Sequence, residues 1–376
     1  MTLDLIAGVR PNFVKIAPLI HALQAARAAG DSSLRYRFIH TGQHYDAALS
    51  GAFLQELHLP TPDFYLEAGS GSHAQQTAAV LLAYERILQQ APRPDLCVVV
   101  GDVNSTLAAA LAAKKCGVPV AHIEAGLRSF DPSMPEEINR VATDSISDYF
   151  FATTATAVQH LQKGGAEEGR IFWVGNPMAD TLLARRADFY APACWQALGL
   201  QKQGYLLLTL HRPHNVDDPD ALVRLLHHIV AHTAPLPVVF VVHPRTQRHL
   251  SATAADAFSP RLHLVPALSY LPFHFLMEHA RGVITDSGGI SEETSVLGVP
   301  CLTVRDHTER PETVALGTNE TGGTDPARLT FFLKKMTAGH WKKGQPIPLW
   351  DGGASRRIVA VLQNLLEQAR TENIAL

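Results

Sequence analysis

From end to end the sequence alternates apolar runs of strand length with longer helical patterns, and nothing else in it constrains the fold as strongly. Strands joined through helices run parallel, so the alternation marks an α/β chain whose parallel sheets are covered on both faces. In the first half the strand-like runs are Leu3–Ala7, Tyr36–His40, Leu96–Val100, Val118–Ile123, Tyr149–Ala152 and Ile171–Val174. The pattern breaks from Asp188 to Gly204. It restarts at Tyr205–Leu210 and continues through Val238–Val242, Leu262–Val265, Val283–Thr285 and Pro300–Val304. Two Rossmann-like, doubly wound domains are expected, residues 1–175 and 176–354. A final helix within 355–376, with Ile358, Val361, Leu362 and Leu365 on one face, is expected to return to the first domain. The length of 376 residues, with 46% hydrophobic and 18% charged residues, suits two domains with substantial cores.

In such sheets ligands bind outside the carboxyl ends of the strands, so polar residues at strand exits are the candidates for chemistry. Asp286-Ser287-Gly288-Gly289 follows the run ending at Thr285 and precedes a helical stretch. Two residues without side chains let an anion approach the backbone and the free N–H groups of the helix's first turn, although Asp and Ser before a helix also serve as plain N-caps. Arg10 and Lys15 flank Pro11 at another helix start, while Asp102 and Glu124 end the third and fourth strands. Arg10, Lys15, Arg140 and Arg310 adjoin glycine, proline or acidic residues rather than lying on helical faces, as partners of a diphosphate would. No G-x-G-x-x-G follows the first strand and no G-x-x-x-x-G-K-[ST] is present, so neither a dinucleotide nor a triphosphate has an obvious seat. A nucleotide-sugar site in a cleft where two sets of strand ends face each other fits better.

A net charge of −3 without a basic block argues against nucleic acid as a partner. No apolar run reaches membrane-spanning length and the N-terminus enters a strand directly, so a cytoplasmic protein without membrane association is expected. The four cysteines, Cys97, Cys116, Cys194 and Cys301, form no C-x-x-C pair and read as buried, reduced thiols. Adjacent His227 and His228 point in different directions on a helix, and no metal site is expected.

Eight motifs, in order, carry a resemblance over nearly the whole chain: Gly8-Val9-Arg10-Pro11-Asn12-Phe13-Val14-Lys15, Thr41-Gly42-Gln43-His44, Gly101-Asp102, His122-Ile123-Glu124-Ala125-Gly126-Leu127-Arg128, Met134-Pro135-Glu136-Glu137-Ile138-Asn139-Arg140, His211-Arg212-Pro213, Asp286 to Glu293, and Thr308-Glu309-Arg310-Pro311-Glu312. Together they resemble the non-hydrolysing UDP-N-acetylglucosamine 2-epimerases. The resemblance implies a GT-B-like architecture, a homodimer without cofactor or catalytic metal, and interconversion of UDP-N-acetylglucosamine and UDP-N-acetylmannosamine by expulsion of UDP to a glycal and its re-addition. By motif match Asp102, Glu124, Glu136 and His211 fall on catalytic positions. Arg10, Lys15, Arg140, Ser287, Gly288, Gly289 and Arg310 fall on the diphosphate or nearby groups, Glu293 on the ribose, and Phe273 on the uracil. Gln43, His44 and Gln76 resemble a second, regulatory UDP-sugar site found in some members. One departure stands out: His214 occupies the place of a Glu common in relatives. A hydrolysing 2-epimerase, a GT-B glycosyltransferase and an inactive UDP-sugar sensor are the alternatives, as is an epimerase of a modified UDP-N-acetylglucosamine. The retained acids disfavour the sensor. Closure of the two domains on the substrate is expected, hinged within 188–204 and near Gly352-Gly353.

Overall fold

The computed structural model describes residues 1–42, 47–243, 246–247, 250 and 259–374, with side chains omitted at 47–50, 52 and 369–374. The expected residues Gln43 and His44 lie outside the described residues. The chain divides into two compact units, Met1–Ala184 with Pro348–Leu376, and Arg185–Ile347.

Among the described residues the first unit carries a seven-stranded sheet of β1 (Thr2–Ala7), β2 (Arg35–His40), β3 (Phe64–Tyr65), β4 (Leu96–Val100), β5 (Val120–Ala125), β6 (Tyr149–Ala152) and β7 (Ile171–Trp173). Their spatial order is β3-β2-β1-β4-β5-β6-β7 and every pairing is parallel. The second unit repeats the plan with β8 (Leu206–Thr209), β9 (Val238–Val242), β10 (Leu262–Pro266), β11 (Gly282–Thr285), β12 (Cys301–Thr303) and β13 (Asn319–Thr321), ordered β10-β9-β8-β11-β12-β13 and again parallel. The expected fold class is therefore observed: two doubly wound α/β sheets. Central strands such as β4 and β9 are buried along their whole length, as a sheet with helices on both faces requires.

Two expectations are corrected. Leu271-Pro272-Phe273, read as a turn, begins the helix Tyr270–His279, because a proline in the first helical turn forfeits only an N–H that has no partner there. Only Cys97 and Cys301 are buried; Cys116 and Cys194 are half-buried, and all four are free thiols.

The last helix, Ala354–Ile374, is moored within the first unit. The buried carboxylate of Asp180, on helix Pro177–Arg185, accepts the N–H groups of Ala354 (3.1 Å) and Ser355 (2.7 Å), capping the helix from another element. Arg357 adds bonds to the carbonyls of Val174 (2.6 Å) and Leu349 (2.8 Å). No helix among the described residues is long and apolar enough to cross a membrane.

Candidate active site

Each sheet reverses its strand order once, between β1 and β4 and between β8 and β11, and at such a switch point neighbouring crossovers leave on opposite faces and open a crevice. The candidate residues collect there. Arg10 and Lys15 follow β1, Asp102 follows β4, His211 follows β8, and Ser287 to Gly289 follow β11.

In the first unit the acids are held by cations. Lys15, buried on helix Arg10–Ala28, forms an ion pair with the equally buried Glu124. Glu124 adopts φ +71° inside β5, where the register with β6 slips between Ile123 and Ala125. A non-glycine residue held left-handed in a bulge is strained, and the bulge is what re-aims its side chain. Asp102 accepts from Arg140 Nη2 at 2.6 Å, while Arg140 Nη1 reaches Glu137 at 3.0 Å. Glu136, half-buried in the first turn of helix Pro135–Ile146, lines with Asp102, Gln76, His73, Asn104 and Asn139 a cavity of about 140 Å³. Arg10 stands over the Phe53 ring, 5.6 Å from its centroid.

Several residues that sequence reasoning assigned no role fix this geometry. Asn12 accepts the N–H groups of Gly8 and Val9 and donates to the Val100 carbonyl at 2.9 Å, tying the exits of β1 and β4 together. Gly101 is left-handed at φ +71°, and a side chain there would meet Lys15 Nζ at 3.4 Å. Asn139 donates to the Asp102 carbonyl at 2.9 Å and to Asn104, which in turn donates to Gln76 at 2.8 Å. Glu137 accepts the N–H groups of Ser129 and Phe130; burial would raise its carboxyl, but these bonds and Arg140 hold it below the ordinary value. Buried His122 bridges the Gly101 carbonyl (2.8 Å) and Asp144 (2.7 Å), and Asp144 also binds Arg128 and the Gly126 N–H. Burial opposes ionisation of Asp144, yet His122 and Arg128 hold it below the usual carboxylate range. The signal for Glu137, Asn139 and His122 was their place inside the quoted motifs; Asp144 carried none.

In the second unit Asp286 does not cap the helix that follows it. Its fully buried carboxylate accepts the N–H groups of His211 (3.1 Å) and Arg212 (2.9 Å), Asn215 Nδ2 (3.0 Å), and His211 Nδ1 (2.9 Å). Burial raises its pKa, but His211 and these donors outweigh that and bring it to about 2. With Nδ1 committed to Asp286, Nε2 is the nitrogen that the half-exposed His211 has left for another partner, an arrangement suited to a general acid or base. Ser287, at the N-cap of helix Gly288–Leu297, makes no side-chain cap bond either. Gly288 faces buried Arg310, whose Nη1 would lie 3.3 Å from a Cβ placed there, and Arg310 pairs with Glu292 at 3.2 Å. Backbone N–H groups without a side-chain cap beside a fixed guanidinium form a seat for an anion. Glu293 lies on the same helix, 2.9 Å from His274. Phe273 is half-buried and packs against the core of its unit. His214 is exposed on helix Pro213–Val216. Partial burial pushes its imidazole below the ordinary value, Asp286 opposes this, and Arg305 and Arg212 reinforce it. Among the described residues no group of three His, Cys, Asp or Glu side chains is placed to hold a metal ion.

Comparison with known proteins identifies the family. The family model described as UDP-N-acetylglucosamine 2-epimerase matches residues 26–363. The UDP-N-acetylglucosamine 2-epimerase of Methanocaldococcus jannaschii is 39% identical, covering 96% of this chain and 99% of that protein. A UDP-2,3-diacetamido-2,3-dideoxy-D-glucuronate 2-epimerase from Pseudomonas aeruginosa is also 39% identical, over 84% of this chain and 86% of its own. The solved structure of the M. jannaschii enzyme with UDP-GlcNAc and UDP superposes with a TM-score of 0.85 at 38% identity, covering 97% of this chain and 100% of that one. The chain belongs to the UDP-N-acetylglucosamine 2-epimerase family and is an isomerase.

Proposed function

We propose that the enzyme interconverts UDP-N-acetylglucosamine and UDP-N-acetylmannosamine by eliminating UDP from C1 and returning it after C2 has been reprotonated on the other face. The observation that carries this reading is the pairing of two carboxylates, Asp102 with Arg140 and Glu124 with Lys15, at the exits of adjacent strands. The C2 hydrogen has no carbonyl beside it to acidify it, so its removal has to be coupled to departure of the C1 oxygen. A carboxylate takes the C2 proton, the C2–H electrons form the C1=C2 bond, and the C1–O electrons leave on UDP. Departure is favoured by groups that meet charge growing on the diphosphate: Arg10, Lys15, Arg140, Arg310 and the backbone at Ser287, Gly288 and Gly289. Asp102, Glu124, Glu136 and His211 are the acid–base set, Glu293 holds the ribose, and Phe273 lies against the uracil. Gln76, with Gln43 and His44, serves a regulatory UDP-sugar site.

The test is incubation with UDP-N-acetylglucosamine in deuterated water, followed by NMR. Deuterium at C2 of UDP-N-acetylmannosamine, with little free UDP, is expected. Product without deuterium sinks the mechanism, and release of free N-acetylmannosamine in step with UDP makes the enzyme a hydrolysing one. A parallel arm with the 2,3-diacetamido uronate nucleotide asks which sugar turns over faster, because a relative acting on that sugar is as similar as the first.

A further inference from the structure

The ribose carboxylate assigned above has a partner of its own. His274 lies on helix Tyr270–His279 and Glu293 on helix Gly288–Leu297; both are buried, and His274 Nε2 stands 2.9 Å from Glu293 Oε1. The other ring nitrogen is already committed. His274 Nδ1 lies 2.7 Å from the carbonyl of Tyr270, one helical turn back, and a carbonyl can only accept, so Nδ1 carries hydrogen. Nε2 is then the ring nitrogen left to face the carboxylate, 2.9 Å from Glu293 Oε1. The two atoms are in close contact without the alignment of a hydrogen bond.

The ring has little freedom to leave. Tyr270 lies over it with centroids 3.9 Å apart, Phe189 lies 5.5 Å away at 31°, and Phe273 meets it edge-on at 5.6 Å. These rings pack against the imidazole from several sides and fix its plane. Tyr270 remains a neutral phenol, since burial first and the Glu293 charge second push its hydroxyl well up. An imidazole fixed by packing on one helix thus sets a ring nitrogen against a carboxylate on the next.

We infer that His274 is a positioning residue for nucleotide specificity: it holds the Glu293 carboxylate oriented so that it accepts from the ribose hydroxyls and discriminates ribonucleotide from deoxyribonucleotide. The inference rests on the proposed assignment of Glu293 to the ribose. A carboxylate accepting from a hydroxyl is worth a factor of roughly ten to a hundred when the hydroxyl is removed, and a carboxylate held loosely forfeits much of it.

The test is calorimetric binding of UDP and 2′-deoxy-UDP to wild type, Glu293→Gln, His274→Phe and His274→Gln. Phenylalanine keeps the ring packing and removes both nitrogens, whereas glutamine keeps a donor near the position of Nε2 and covers the case in which the first variant fails to fold. The readout is the ratio of the two Kd values, which a general loosening of the unit would not move. Wild type is expected to favour UDP at least roughly tenfold, Glu293→Gln to bring the ratio close to one, His274→Phe to lower it at least about threefold, and His274→Gln to fall between. A wild-type ratio in both His274 variants, alongside a collapsed ratio in Glu293→Gln, overturns the role of His274 and leaves the ribose assignment standing. An unchanged ratio in Glu293→Gln overturns the ribose assignment and the inference with it.

Discussion

Replacing Asp286 with Asn tests how the second unit builds its histidine. The native carboxylate is fully buried and accepts from two backbone N–H groups, Asn215 and the His211 ring. Its pKa of about 2 against an ordinary 3.8 means that the folded state prefers the charged form by about 2 kcal/mol, at about 1.4 kcal/mol per unit. Asparagine removes that charge and turns an NH2 toward groups that are themselves donors, leaving one or two of them unsatisfied at about 1–3 kcal/mol each. The sum is about 3–8 kcal/mol, a large part of the ~5–15 kcal/mol that holds a typical domain folded. Urea unfolding followed by circular dichroism at pH 7 should show it. The pH dependence provides an independent check. Because the folded pKa is depressed, the stabilisation is fully present above about pH 4 and is lost as pH falls through about 2, so the gap between wild type and variant should narrow by about 2 kcal/mol over that window. Turnover should drop by roughly two to four orders of magnitude, since nothing then fixes which His211 nitrogen carries the proton. A variant within about 0.5 kcal/mol of wild type at pH 7, with the same pH profile, would refute the reasoning.

Asp102→Asn, Glu124→Gln and Glu136→Gln should each lower kcat by roughly two to four orders of magnitude while moving the Kd for UDP far less, measured by coupled turnover and calorimetry; near-normal turnover in any one removes it from the acid–base set. Gly126→Ala should cost at least about 2 kcal/mol in urea unfolding, because φ is +83° and the new Cβ would sit 2.3 Å from the Ala157 carbonyl oxygen. Asp180→Ala should cost about 1–2 kcal/mol and speed hydrogen exchange at Ala354 and Ser355, whose N–H groups lose their acceptor; unchanged exchange there would mean that packing alone holds the helix.

The sheets were legible because buried parallel strands leave continuous apolar runs, and eleven strands from β1 to β12 announce themselves that way with ends shifted by up to two residues. Two of the four edge strands, β3 and β13, were not. β3 is only Phe64–Tyr65, and β13, Asn319–Thr321, is polar, because an edge strand is paired on one side only and needs neither length nor an apolar sequence.

The site was legible to a similar depth and for a related reason. Several candidate residues sit within three positions of a strand's end, where a polar residue or a glycine interrupts an apolar run and is conspicuous: Asp102 after Val100, His211 after Thr209, Gly288 after Thr285. The residues that hold them are scattered through helices, where a polar residue is unremarkable. Asp144 lies twenty positions beyond Glu124 in the chain yet binds the Gly126 N–H at 3.1 Å, and His274 reads as one more histidine among nineteen until the fold sets it against Glu293. Asp286 shows the limit most clearly. From sequence it belongs to the cradle it precedes; in the structure it turns back across β11 to β8, because two buried N–H groups and the ring of His211 need an acceptor there and the following helix, whose N-terminus is left uncapped by side chains, does not take it.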